Sequence, residues 1–283
     1  MYPIIYDFGE IDLFGFQFHL AIYSFGLMLV MAFYACYFLL DHDLKRKGFG
    51  DKLASDIIFW SALGGIIGSK AYHVIENLDQ IMASQNPMGM IFSGSGLVFL
   101  GGLIGAVSAV TIILNKNKLP WLKFADQLAP LILLGYAIGR IGCFLVGDDY
   151  GIPSSLPWAM SFPEGLPPTT TSTFTYQFPW VDISDQLPGL IKVHPTQIYE
   201  TIICGALFYF LWSKRDKTIV PGSLFFQYLI LAGLERFFIE FLRTNEKYLF
   251  DILSGAQVLS LLMVCIGSYF LINPLSAVEP DTT

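Results

Sequence analysis

Apolar residues in this chain come in long runs near 19–40, 54–75, 97–114, 124–146, 196–212, 223–242 and 253–272, parted by polar, charged or Pro/Gly-containing segments. A helix needs roughly 20 such residues to cross a hydrocarbon core, so the pattern predicts an all-α polytopic membrane protein with about seven transmembrane helices. Gly64, Gly65 and Gly68, then Gly101, Gly102 and Gly105, then Gly135, Gly139 and Gly142 recur three or four apart within these runs. Small faces at that spacing let helices approach closely in lipid, and by themselves imply no chemistry.

One long polar excursion interrupts the runs. Residues 147–193 are rich in Pro, Thr, Ser and aromatic residues, and are expected to form a small non-helical head between helices four and five of a single domain spanning 1–283. Its rings, Tyr150, Trp158, Phe162, Phe174, Tyr176, Phe178 and Trp180, suit a packed unit or one lying at a membrane interface. A shorter outer loop, 76–96, joins helices two and three. The first residues carry no basic segment and no small-residue cleavage site, so the first helix is expected to stay as an anchor. No repeat of 20 to 50 residues is visible.

Composition agrees with the membrane reading: 54% of residues are hydrophobic and 14% charged, against roughly a quarter charged in soluble domains. Mean hydropathy is +0.58. The net charge of −7 says little about partners, and no basic patch of the nucleic-acid-binding kind is present. Where the cations fall is more informative. Lys45, Arg46, Lys47 and Lys52, then Lys116, Lys118 and Lys123, then Lys214, Arg215 and Lys217 occupy alternate loops, whereas the opposite loops hold only Lys192, Arg243 and Lys247. The positive-inside rule then places the N-terminus and the head outside and the C-terminus in the cytoplasm. Cys36, Cys143, Cys204 and Cys265 lie in apolar runs without ligand-like spacing. All but Cys143 read as small buried hydrophobes.

Lys70, Arg140 and Arg236 fall inside predicted spans, each toward the outer end of its helix. An arginine in the bilayer costs roughly 2.5 to 3.5 kcal/mol on insertion scales, so it normally faces a cavity or a partner. In "LERFFIEFLR", Arg236, Glu240 and Arg243 share one helical face. Arg140 has no acid three or four residues away; the nearest in sequence, Asp148 and Asp149, lie in the loop beyond, so it needs an anion from elsewhere. Helix five opens on "VHPTQIYE", with His194 before Pro195 and with Gln197 and Glu200 on one face. Taken together these positions predict a cavity suited to a lipid headgroup bearing a phosphate, which Arg grips as a fork and Lys as a point charge.

These segments resemble the bacterial prolipoprotein diacylglyceryl transferase family over nearly the whole chain. "GRIGCFLVGDDYG" resembles the signature around the family's arginine, G-R-x-G-N-F-x-N-G-E-x-x-G. "HPTQIYE" resembles H-P-[ST]-Q-x-Y-E, "RFFIEFLR" resembles R-x-x-x-E-x-x-R, and "FLGGLIG" resembles F-H-G-G-L-I-G. "YSFGLM" is similar to Y-G-L-M, and "GSKAYHVIEN" to G-[AG]-R-x-x-Y-V-x-x-N. This chain departs from the family at Leu100, in the place of a histidine, at Cys143 and Val146, in the places of asparagines, and at Phe25, in the place of a tyrosine.

The resemblance implies a reaction needing no metal or cofactor: a cysteine thiol in the lipobox of a preprolipoprotein signal peptide attacks phosphatidylglycerol, forming a thioether and releasing glycerol phosphate. It implies that Arg140 and Arg236 hold the phosphate and that Glu240 orients Arg236. Lys70, Arg243 and Cys143 would line the phospholipid site, Gly151 would shape the turn into the head, and His194 with Glu200 would order the outer rim. Leu100 cannot take a proton, so His194 or another group would serve as base. Two other readings stay open on the residues alone: the same scaffold using an anionic phospholipid with a different acceptor, and a non-catalytic phospholipid-binding membrane protein.

Overall fold

Every apolar run contains a helix in the computed structural model, which describes residues 1–13, 16–84, 87–91, 96, 98–217, 220–249 and 252–274. The helices are α1 (Ser24–Arg46), α2 (Leu53–Glu76), α3 (Leu78–Ala83), α4 (Pro87–Ile91), α5 (Phe99–Lys116), α6 (Trp121–Val146), α7 (Thr171–Gln177), α8 (Thr196–Lys214), α9 (Ser223–Ile239) and α10 (Gly255–Ile272). A 3-10 turn, Glu240–Leu242, extends α9. Among the described residues, α1, α5, α6 and α10 are long and apolar enough to cross a membrane.

The all-α expectation needs one correction. Strands β1 (Ile4–Leu13) and β2 (Phe16–Tyr23) pair as an antiparallel hairpin before the first helix. The first run was expected to be helical from residue 19, but 19–23 belong to β2 and α1 starts at Ser24. Ser24 is fully buried and its N–H donates to the Pro3 carbonyl at 3.0 Å, which ties the base of the hairpin to the helix start. The 76–96 loop likewise contains two short helices, α3 and α4. Of the stretch 84–96, residues 85, 86 and 92–95 lie outside the described residues.

The described residues group into two compact units: Met1–Cys36 with the chain from Ala125 onward, and Tyr37–Phe124. In the second unit α2 and α5 meet backbone to backbone along the predicted glycine stripe. A methyl group added to Gly64 would sit 2.7 Å from the Gly105 carbonyl oxygen, and one on Gly68 would collide with the Gly101 carbonyl. The obstacle is main chain, which cannot swing aside. Gly68→Val is therefore expected to destabilise the protein by about 1–3 kcal/mol, read as a lower unfolding midpoint in detergent.

In the first unit, α6 packs with α8 and α9 around Leu133, Ala137, Cys204, Leu211 and Leu224. Asp126 of α6 accepts hydrogen bonds from the Gly222 and Phe225 N–H groups, at 2.7 and 2.8 Å, capping the first turn of α9. Gly233 and Gly267 let α9 and α10 approach; a methyl group on Gly267 would lie 2.7 Å from the Phe226 carbonyl oxygen. Cys36 and Cys204 are buried as expected and Cys143 is buried too, but Cys265, also expected to be buried, is exposed. Exposed apolar neighbours on α10, among them Leu262, Ile266 and Tyr269, share its surroundings. A thiol needs no protein partner there.

Residues 147–193 pack their own core of Tyr150, Phe162, Phe174, Ile191 and Val193. The excursion is not wholly non-helical, because Thr170 caps α7 by accepting from the Thr173 N–H. Its rings divide: Tyr150, Phe162 and Phe174 are buried, while Trp158, Tyr176 and Trp180 stay exposed.

Candidate functional site

The site begins where α6 ends. Gly147 adopts φ +75, and its N–H and that of Asp148 return to the Cys143 carbonyl at 2.8 and 3.2 Å, closing the helix with a left-handed turn. Asp149 is also left-handed, at φ +58, a conformation that aspartate tolerates better than most residues. The turn brings Asp149 back toward Arg140, nine residues earlier, and their Nη1–Oδ2 distance is 2.6 Å. This is the anion the arginine was expected to need.

Gly151 fixes where the chain leaves. Its N–H donates to the His194 carbonyl at 2.9 Å, and the next N–H, of Ile152, to the Leu242 carbonyl at 2.8 Å. Gly151 bridges Arg243 in antiparallel fashion, and any side chain on it would strike the Leu242 carbonyl. Only glycine fits where three segments meet.

Glu200 was expected at an outer rim with His194. It instead lies fully buried at the centre, because the first turn of α8 projects inward and three guanidinium groups converge on it. Arg140 Nε is 3.0 Å from Oε2, Arg236 Nη1 is 3.1 Å from Oε1, and Arg243 Nη1 is 3.6 Å from Oε2. Tyr136, one turn before Arg140, donates its hydroxyl proton to Glu200 Oε1 at 2.7 Å and accepts from Arg140 Nη2 at 2.9 Å.

Glu240 is the second buried anchor. It pairs with Arg236 at 2.9 Å along the predicted i,i+4 face and lies 3.8 Å from Arg243 Nε. Asn245 Nδ2 and Ser254 Oγ both donate to its other oxygen at 2.7 Å. Ser254 is also the N-cap of α10, in a capping box with Gln257, so the start of that helix holds the acid that aims Arg236. The Ser-x-x-Gln spacing was visible in the sequence. That it faced the arginines was not.

The network leaves specific groups unmet. Arg243 is buried and grips Asp149 Oδ1 at 2.7 Å with Nη2, but its Nε and Nη1 have no hydrogen-bond partner. The acids nearest those atoms, at 3.6 and 3.8 Å, are too distant for good bonds. Buried donors without acceptors are costly, and Glu200 Oε2 and Glu240 Oε2 are unmet as well, so the cluster holds both donors and acceptors open to an incoming group.

The two loop acids differ. Burial alone would raise the Asp149 carboxyl, but Arg243 and Arg140 outweigh it and hold it below the usual range. Burial, and then the charge of Asp149, push Asp148 up to about 6. A folded-state value above the unfolded one of roughly 3.9 means a contribution to stability present below pH 4 and lost as pH rises toward 6. Asp148→Asn is therefore expected to raise the unfolding midpoint at pH 8 and change it little at pH 4, as thermal melts at both pH values would show.

Two further predicted residues have partners of their own. His194 is half-buried, with Nδ1 3.4 Å from the Tyr199 hydroxyl, which accepts from Trp158 Nε1 at 2.7 Å; burial lowers the affinity of His194 for a proton. Lys70 belongs to the second unit, where its Nζ donates to the Met90 carbonyl at 3.2 Å. Cys143 lies within the network, 3.7 Å from Arg140 Nη1 and 4.0 Å from Asp149 Oδ2.

The family model for prolipoprotein diacylglyceryl transferase matches residues 13–273. The phosphatidylglycerol--prolipoprotein diacylglyceryl transferase of Clostridium tetani is 32% identical over 270 residues, covering 95% of this chain and 96% of its own. The protein of the same name from Shewanella oneidensis is 31% identical over 281 residues, covering 96% and 95%. That from Bordetella avium is 32% identical over 243 residues, covering 84% and 83%. Likeness at this level and nearly end to end makes the chain a member of the prolipoprotein diacylglyceryl transferase family.

Proposed function

We propose that this protein transfers the diacylglyceryl group of phosphatidylglycerol to the lipobox cysteine of a preprolipoprotein signal peptide, releasing glycerol phosphate. The observation that carries this reading is the buried arginine cluster with unmet donors on Arg243. Arg140, Arg236 and Arg243 hold the phosphodiester. As the thiol displaces the phosphate from the lipid carbon, negative charge grows on the leaving oxygen, and guanidinium groups already fixed by Glu200, Glu240 and Asp149 stabilise it without reorganising.

Glu200 thus acts as the shared counter-charge that sets the cations' spacing rather than as a phosphate contact. Gly151 keeps the loop against Arg243, Cys143 lines the same end of α6, and Trp158, donating to the Tyr199 hydroxyl beside His194, joins the head to α8. Lys70 contributes to lipid binding as a point charge. The helices of the apolar runs cross the inner membrane about seven times, with the N-terminus and the 147–193 head outside and the C-terminus in the cytoplasm. Basic residues in the last turns of α1, α5 and α8 favour this orientation.

Purified protein given labelled phosphatidylglycerol and a lipobox peptide should yield a thioether-linked peptide and free glycerol phosphate in equal amounts. Lipid binding without either product would leave only the non-catalytic reading. Glycerol phosphate released without peptide product would point to a different acceptor.

A further inference from the structure

The cations account for the leaving group but not for the thiol proton. We propose that Asp148 accepts that proton as the thiol attacks, an assignment that rests on the transferase reading above.

Asp148 and Asp149 are adjacent but differently engaged. Both oxygens of Asp149 are taken, Oδ2 by Arg140 and Oδ1 by Arg243. Asp148 Oδ1 is buried and has no partner. Beside it the fully buried Gln197 donates Nε2 to the Asp148 carbonyl at 2.5 Å and has an Oε1 that lacks any donor. An open acceptor on each of two hydrogen-bonded neighbours suits a group that brings a proton. A carboxylate oxygen of Asp148, one of Asp149 and the Cys143 sulfur lie within 4.8 Å of one another, so the Asp148 carboxylate is one side chain away from the guanidinium groups that would hold the phosphate.

The groups facing Asp148 are Arg140 and Cys143 from α6, Asp149 from its own loop, Arg243 from beyond the 3-10 turn and Gln197 from α8. Burial and Asp149 disfavour its charge, while a hydrogen bond from the Cys143 thiol, then Arg140 and Arg243, favour it. An acid balanced in this way is ionised at neutral pH yet more basic than a free carboxylate, as a general base requires.

The step balances without a co-reactant. The sulfur–carbon bond forms as the lipid carbon–oxygen bond breaks, and the electron pair leaves on the phosphate oxygen. The thiol proton passes to Asp148 and from there to the released glycerol phosphate or to water. No redox change occurs.

The test measures glycerol phosphate release against pH for the full chain in phosphatidylglycerol proteoliposomes, with a lipobox peptide as acceptor. Wild type should show an acid limb near pH 6, and Asp148→Glu should keep such a limb. Asp148→Asn should lose the limb and about 100-fold or more in kcat, with KM for lipid changed by less than about threefold. A selenocysteine peptide, whose nucleophile ionises without help, should recover most of that loss. An Asn variant that keeps its rate and acid limb, or whose loss the selenocysteine peptide does not relieve, overturns the assignment. A wild-type protein that releases no glycerol phosphate overturns the transferase reading instead.

Discussion

Replacing Arg140 by alanine should lower the transfer rate by about 100- to 1,000-fold, the loss typical of deleting one preorganised donor to a developing anion. Its guanidinium meets Asp149, Glu200 and Tyr136 at once, at 2.6, 3.0 and 2.9 Å. Lysine keeps the charge but cannot span those three partners as a planar fork, so Arg140→Lys should recover little of the rate. Steady-state glycerol phosphate release, with thermal melts to show that each variant is folded, checks both. A lysine variant close to wild type would mean that charge alone suffices.

Replacing Glu200 by alanine should be the most destabilising single change at the site, by about 3–5 kcal/mol, because it removes one partner from a buried network and leaves the others unpaired. Glu200 has no exposed surface and, among the described residues, is the one acid that approaches Arg140, Arg236 and Arg243 together. Glu200→Gln keeps the shape and an acceptor oxygen but removes the charge, so its cost should be smaller. Unfolding midpoints in detergent separate the two, and a double-mutant cycle with Arg140→Met measures their coupling. Alanine at 200 with an unchanged midpoint would show that the arginines are balanced elsewhere.

Much of the site could be read along single helices. Arg236, Glu240 and Arg243 share a face by helical arithmetic, and the structure pairs Arg236 with Glu240 at 2.9 Å. Gly64, Gly68, Gly101 and Gly105 likewise announced a close helix contact, and they make one between α2 and α5. The hairpin was misread because β2 runs straight into an apolar helix, so hydropathy alone does not mark residue 24 as a boundary. Glu200 was placed at a rim because its position near the start of α8 was taken for its environment.

Helix lengths, the glycine stripe and the need of Arg140 for an anion were set by local composition and by a spacing of three or four residues, which act over one turn of chain. Which acid answers which arginine was decided only in three dimensions. Asp149 reaches Arg140 because Gly147 and Asp149 turn left-handed, and Glu200 reaches three arginines because α6, α8 and the end of α9 converge. Coulombic pairing falls off with distance in space, not along the chain, so residues 94 apart such as Arg243 and Asp149 meet at 2.7 Å with no sequence signal to announce it.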